Sequence, residues 1–291
     1  MNKKCAELKS VFIIGAAKCG TTALADMLDK SDKIALCTPK EPDFFSERIN
    51  DKGLDWYLSL FSTNEATEAR LDASVCYSAG WGESSEVIAK KIFAYDPDAY
   101  IIYLVRDPVL RAWSSYWHDV RNLKSAEGAS SRTIMFDSKY THISAGKYYE
   151  RVREYLKYFR REQILILKQD EIISDSRNLL SKIEVLTGID SLIALEDVSG
   201  RRVNSSYRFN IMGRLLSSVL PIDVVKKMAH FSSRNLPASI NRYLRGALSN
   251  PVPILPDGLA AELVNIFSAD TRQLYEEFQV DVRSSKFWHM E

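Results

Sequence analysis

The 291-residue sequence has little cysteine, little histidine, no excess of either charge and no long apolar run. Its four cysteines, Cys5, Cys19, Cys37 and Cys76, form no CxxC pair, and the four histidines add no metal-ligand spacing to them. A disulfide or zinc framework is therefore not expected, and no metal is called for; reduced, mostly buried thiols are. With 39 Lys+Arg against 38 Asp+Glu the net charge is +1, which argues against a general polyanion surface and a nucleic-acid partner while allowing a local basic pocket. The strongest apolar runs, residues 11–17 and 100–105, fall far short of the roughly 20 residues a spanning helix needs. Glycine and lysine end the first run too soon for a signal-peptide core. No membrane partner and a cytoplasmic location are expected, and the sequence is silent on oligomeric state.

What is present is a chain with 46% hydrophobic residues, enough for a sizeable core and for one α/β domain spanning residues 1–291. Residues 11–14 form a β-branched and aromatic run of the buried parallel-strand type. A glycine turn follows, then helical spacing over 21–28. Further strands are predicted at 34–37, 70–76, 100–105 and 163–168, and helices at 86–95, from Pro108 to about His118, at 148–159, 176–187 and 259–278. Residues 121–142 read as a long loop, and 211–250 as irregular helix. Alternating strands and helices predict a P-loop-like, doubly wound, mostly parallel five-stranded sheet flanked by helices. A helical C-terminal region, 211–258, is expected to serve as acceptor site or lid.

The turn Gly15-Ala16-Ala17-Lys18-Cys19-Gly20-Thr21-Thr22 carries the chemistry. A strand–turn–helix junction leaves main-chain N–H groups and the positive helix end free to attract phosphate. Gly15 and Gly20 allow close approach, Thr21 and Thr22 add hydroxyls, and Lys18 adds charge. The glycine spacing is that of a GxxxxGK[ST] loop, but Thr21 occupies the lysine position and the lysine lies inside the loop at 18. Asp107, behind Arg106, is the nearest approach to an acidic magnesium ligand after a strand. The loop suits a phosphate-like group better than nucleotide hydrolysis; the plain alternative is a tight turn without a ligand.

A second anion site is expected where strand 100–105 ends. Arg106 emerges there at the ligand-binding edge of an open sheet, and Ser114 lies eight residues on in the following helix; an arginine with a hydroxyl makes a good phosphate clamp. The alternative is a structural ion pair of Asp107 with Arg106 or, more credibly, Arg111.

Together these motifs resemble the sulfotransferases that use 3′-phosphoadenosine 5′-phosphosulfate (PAPS), in the style of the heparan-sulfate-type and bacterial branch. Residues 15–22 look like that family's 5′-phosphosulfate loop and residues 106–116 like its 3′-phosphate motif. Lys40-Glu41-Pro42-Asp43-Phe44-Phe45 resembles the segment that carries its acid–base residue. Residues 144–149, 155–159 and 163–168, the late loop 202–206 and the end 283–288 also fit. The family often has histidine where Asp43 stands, and residues 207–258 match nothing in it.

The resemblance implies in-line sulfuryl transfer from PAPS to a hydroxyl or amine, leaving 3′,5′-adenosine bisphosphate. Lys18 would stabilise the leaving oxygen, and Glu41, its pKa raised by an apolar wall at Pro42, Phe44 and Phe45, would take the acceptor's proton. Ala17, Lys18, Cys19, Gly20, Thr21, Thr22, Arg106, Ser114, Tyr148, Arg202 and Asn204 are the expected donor contacts, and Lys40, Asp43, Phe44 and His118 the acceptor contacts. A small-molecule acceptor, such as a natural-product scaffold, is expected. Asp43, Glu47 and Asp72 lean towards a cationic one. A glycan sulfotransferase and a P-loop-like ATP-dependent kinase are the alternatives.

Overall fold

The computed structural model describes residues 8–46, 52–79, 83–122, 131–195, 207–209, 249–284 and 286–288. In chain order the elements are β1 (Lys9–Gly15), α1 (Thr21–Leu28), β2 (Ile34–Leu36), α2 (Leu54–Ser59), β3 (Ala69–Asp72), α3 (Cys76–Ala79), α4 (Ser85–Tyr95), β4 (Tyr100–Val105), α5 (Pro108–Arg121) and α6 (Ser131–Phe136). Then come α7 (Tyr148–Leu156), β5 (Ile164–Lys168), α8 (Glu171–Ser174), α9 (Ser176–Thr187), β6 (Tyr207–Phe209), β7 (Ser249–Pro251) and α10 (Asp257–Phe278). Among the described residues no helix is long and apolar enough to cross a membrane.

Five strands pair in the order β2-β3-β1-β4-β5, every pair parallel. A strand covered on both faces must be apolar throughout, because neither side meets water. The two central strands obey this: Ile13 and Ile14 of β1 and Ile101–Val105 of β4 are wholly buried. Parallel pairing forces each connection to cross back through a helix, so the strand C-termini share one edge. The turn after β1 and the turn after β4 are neighbours there, since Val11 pairs with Tyr100 and Ile13 with Ile102.

A second apolar cluster joins α5 to α10. Val109, Ala112, Trp113 and Trp117 pack with Leu259, Leu263 and Phe267. α10 also caps another helix: the carboxylate of Asp270 accepts the N–H groups of Tyr149 (3.0 Å) and Glu150 (2.9 Å) at the start of α7, serving donors that have no partner within that helix.

Several expectations are corrected. The third strand stops at Asp72 rather than 76, because Ser74 Oγ donates to Asp72 Oδ1 (2.6 Å) and the chain turns into α3. The expected loop at 121–142 contains α6, whose Ile134 and Met135 are buried; six residues are too few to be helical alone, so packing holds them. α5 runs past His118 to Arg121, and α7 ends at Leu156. α2, which sequence patterning missed, buries Tyr57. The helical reading of 211–250 falls mostly outside the described residues, but Ser249 and Asn250 belong to a strand, paired antiparallel with β6.

Asp107 does two jobs at the head of α5. Its Oδ1 accepts from Val109 N (2.8 Å) and Leu110 N (3.0 Å), the N-cap arrangement, with Pro108 in the first helical turn. Its Oδ2 accepts from Ser284 N (3.2 Å), Ser284 Oγ (2.5 Å) and Trp288 Nε1 (3.1 Å), tying the C-terminal segment to the sheet edge. Asp107→Asn keeps a capping oxygen but turns an NH2 towards those donors. It is expected to cost about 1–3 kcal/mol and to speed tryptic cleavage at Arg283 and Lys286 several-fold. Unchanged cleavage would show that the tail is held by other contacts.

Candidate active site

The chain between β1 and α1 is bent by backbone conformations that favour glycine. Gly20 sits at φ 89° and Gly15 at φ 142°; a Cβ on Gly15 would collide with Ser78 Oγ on α3. Lys18 itself is left-handed, at φ 72°. The loop is anchored by Ala16 N donating to Leu104 O (2.7 Å) and Cys19 N to Ala16 O (3.1 Å). Gly20 gives α1 no side-chain cap, and the first turn holds no acidic residue. The first-turn N–H groups and the helix dipole are thus left to an anion. Ala17, Cys19 and Thr21 are buried, whereas Lys18, Gly20 and Thr22 are half-buried.

Three other elements converge on this loop. From the end of β4, Arg106 Nη1 donates to Lys18 O (3.3 Å). From α5, His118 presents Nδ1 at 3.4 Å from Lys18 Nζ and 2.9 Å from Arg121 Nη2. Both cations approach the same ring nitrogen, so that nitrogen is the acceptor and the ring proton sits on Nε2. From α7, Tyr148 lies wholly buried beneath the loop, its hydroxyl 3.6 Å from Cys19 Sγ; it supports the loop from below. Ser114 is half-buried on α5. Arg202 and Asn204 lie outside the described residues.

Crowding of positive charge shows in Lys18. Burial, then the guanidinium groups of Arg121 and Arg106, pull its ammonium down to about 8, against an opposing pull from Asp119. Arg121 is the functional candidate that sequence reading missed. Its signal was the i, i+3 spacing from His118 on a helix judged to end one turn too early.

A family model for the sulfotransferase domain matches residues 8–210. The chain belongs to the sulfotransferase family. Human heparan sulfate glucosamine 3-O-sulfotransferase 3B1 is 27% identical over 193 residues, which cover 64% of this chain and 48% of that protein. Human bifunctional heparan sulfate N-deacetylase/N-sulfotransferase 3 is 27% identical over 212 residues, covering 64% and 23% respectively. The chain thus spans about half the length, or less, of these two relatives. A sulfotransferase from Alicyclobacillus acidocaldarius has a solved structure that superposes with a TM-score of 0.62 at 23% identity, covering 94% of this chain and 96% of that one; it shares the fold.

The segment 40–46 follows β2 and packs against α2 and α3. Glu41 is exposed and its carboxylate meets Lys40 Nζ at 2.7 Å. The apolar wall expected around it lies elsewhere, because Phe44 stacks on Tyr57 (4.4 Å, 13°) and Phe45 is buried against Phe12 and Tyr77. Phe44 therefore serves the aromatic core on at least one face. Asp43 Oδ1 accepts from Cys76 Sγ (2.8 Å). Behind it Asp72 is buried and accepts from Ser74, Tyr57 (3.1 Å) and Tyr77 (2.8 Å). Burial outweighs those three bonds and lifts its carboxyl to about 6, with the Asp43 charge adding to the rise.

Lys18 gives this site a pH signature. Near pH 8 the free chain holds Lys18 about half neutral, and a bound anion favours the ammonium. Binding of 3′,5′-adenosine bisphosphate at pH 8 is expected to take up part of a proton, and affinity to fall as pH rises above 8. Calorimetry at pH 8 in buffers of different ionisation enthalpy measures the uptake. Proton release, or none in wild type and Lys18→Met alike, would contradict it.

Proposed function

We propose that the chain transfers a sulfuryl group from PAPS to a hydroxyl or amine of a small-molecule acceptor. The observation that carries this is the meeting of Lys18, Arg106 and the uncapped start of α1 at one half-buried loop. A Walker-type loop would place lysine at position 21, where this chain has threonine.

PAPS supplies the sulfuryl group, with adenosine bisphosphate as the leaving group. Loop N–H groups and the Thr21 and Thr22 hydroxyls hold the 5′ end, and Arg106 with Ser114 takes the 3′-phosphate. Lys18 leaves His118 Nδ1, 3.4 Å away in the free chain, to meet the negative charge that grows on the phosphate oxygen as its bond to sulfur breaks. The acceptor oxygen or nitrogen forms the new bond to sulfur and gives its proton to Glu41, which Lys40 orients by their ion pair. His118, freed of Lys18, faces the acceptor side.

Acceptor class follows from charge. Asp43 stands beside the buried Asp72, close enough for its charge to add to the rise of that carboxyl, and carboxylates there disfavour a polyanion. Heparan sulfate, which gives those relatives their names, is polyanionic. A neutral or amine-bearing natural-product scaffold suits this chain better.

The test is mass spectrometry of a metabolite extract incubated with the full chain and PAPS, searching for the gain of one sulfuryl group. Lys18→Ala is expected to slow transfer about 100- to 1,000-fold, and Glu41→Gln about 100-fold or more with PAPS affinity kept. Transfer to heparan oligosaccharides alone would overturn the acceptor assignment, and undiminished turnover in Glu41→Gln would remove it as base.

A further inference from the structure

Arg111 is the largest fully buried side chain among the described residues, with no exposed surface. It lies one turn after Asp107 on α5, yet the two do not pair, because the carboxylate of Asp107 is taken up by the cap and the C-terminal segment. Arg111 Nη2 donates to the main-chain carbonyl of His142 and weakly to that of Thr141 (3.5 Å). Its Nε and Nη1 have no acceptor among the described residues. No carboxylate among the described residues forms an ion pair with it.

A guanidinium keeps its proton under all ordinary conditions. Burying one without a counter-ion opposes folding unless something offsets the cost. Its surroundings are built for it nonetheless. A Cβ at Gly146 would come 3.3 Å from Arg111 Nε and 2.8 Å from the Phe267 ring, so this turn leaves just enough room for the guanidinium. Two residues on, Tyr148 reaches Cys19 Sγ of the phosphate loop at 3.6 Å. The cation therefore stands behind the loop, on the side away from solvent. Its field is felt there: it opposes the burial-driven rise of the Cys19 thiol, and after burial it is the main influence pulling the His142 imidazole down to about 4.

We propose that Arg111 is a positioning residue for the donor, a buried cation behind the phosphate loop whose counter-ion is the anionic phosphosulfate end of PAPS. It need not touch the ligand; it raises the potential at the loop through low-dielectric protein. Its burial without a carboxylate is then the means by which that potential is kept for the ligand. The inference rests on the donor reading above.

The test compares wild type, Arg111→Met and Arg111→Lys at pH 6.5, by calorimetric titration with 3′,5′-adenosine bisphosphate and by thermal unfolding of the ligand-free chain. A unit charge at roughly 10 Å in an effective dielectric of about 20 changes affinity about tenfold. Arg111→Met is expected to bind about tenfold more weakly while its Tm holds or rises, and Arg111→Lys to recover most of the affinity. An arginine that only packs gives the opposite pattern. Met at wild-type affinity, a falling Tm or failure to fold in Met, or no recovery in Lys would each overturn the proposal. If wild type itself does not bind the bisphosphate, the donor reading fails separately. Arg111 is then judged by the rise in Tm with inorganic pyrophosphate over chloride at equal ionic strength. A smaller rise in Met supports its role, and an equal one refutes it.

Discussion

The site depends on positive charge gathered where few carboxylates neutralise it. Lys18, Arg106 and Arg121 are drawn to one loop, and Arg111 is buried behind it. Such crowding is unfavourable in the free chain, and Lys18 records it as an ammonium pulled down to about 8. On the proposed reading, an anion at the loop relieves all of these groups at once. The energy withheld during folding is thereby available to hold the donor and to meet the charge that develops on its leaving oxygen.

The fold makes that arrangement rigid. Parallel pairing of β1 with β4 sets the loop beside Arg106. The cap on α5 fixes the direction in which that helix carries Ser114, His118 and Arg121 past Lys18, and the same Asp107 draws in the C-terminal segment. α10 braces the far side twice, through Phe267 against α5 and through Asp270 on the start of α7, the helix whose Tyr148 underlies Cys19. The C-terminal residues thus act on the loop through packing and capping.

Local features were legible in the sequence. The apolar run of β1, the glycines at 15 and 20, the displaced lysine at 18 and the arginine ending β4 each follow from short-range pattern, and they located the loop and its neighbour. Less was legible where tertiary context decides. Ser74 ends β3 by bonding to Asp72, and nothing in the run 70–76 marks that turn. Glu41 reads as a carboxylate beside aromatic residues, but the aromatic rings pack on Tyr57 and Tyr77, leaving it with Lys40. Arg111 reads as the natural partner of Asp107 one turn away. Ser284 and Trp288, from the other end of the chain, occupy that carboxylate instead. Arg202 and Asn204 lie outside the described residues.

The proposed donor is an adenine nucleotide carrying phosphate at both 3′ and 5′ positions. The most direct measurement is calorimetric binding of 3′,5′-adenosine bisphosphate and of 5′-ADP, each with EDTA and with magnesium. The bisphosphate is expected to bind in EDTA, at least tenfold more tightly than ADP, and Arg106→Ala to abolish the difference. Binding of ADP as tight as that of the bisphosphate, or binding only with magnesium, would contradict the proposal.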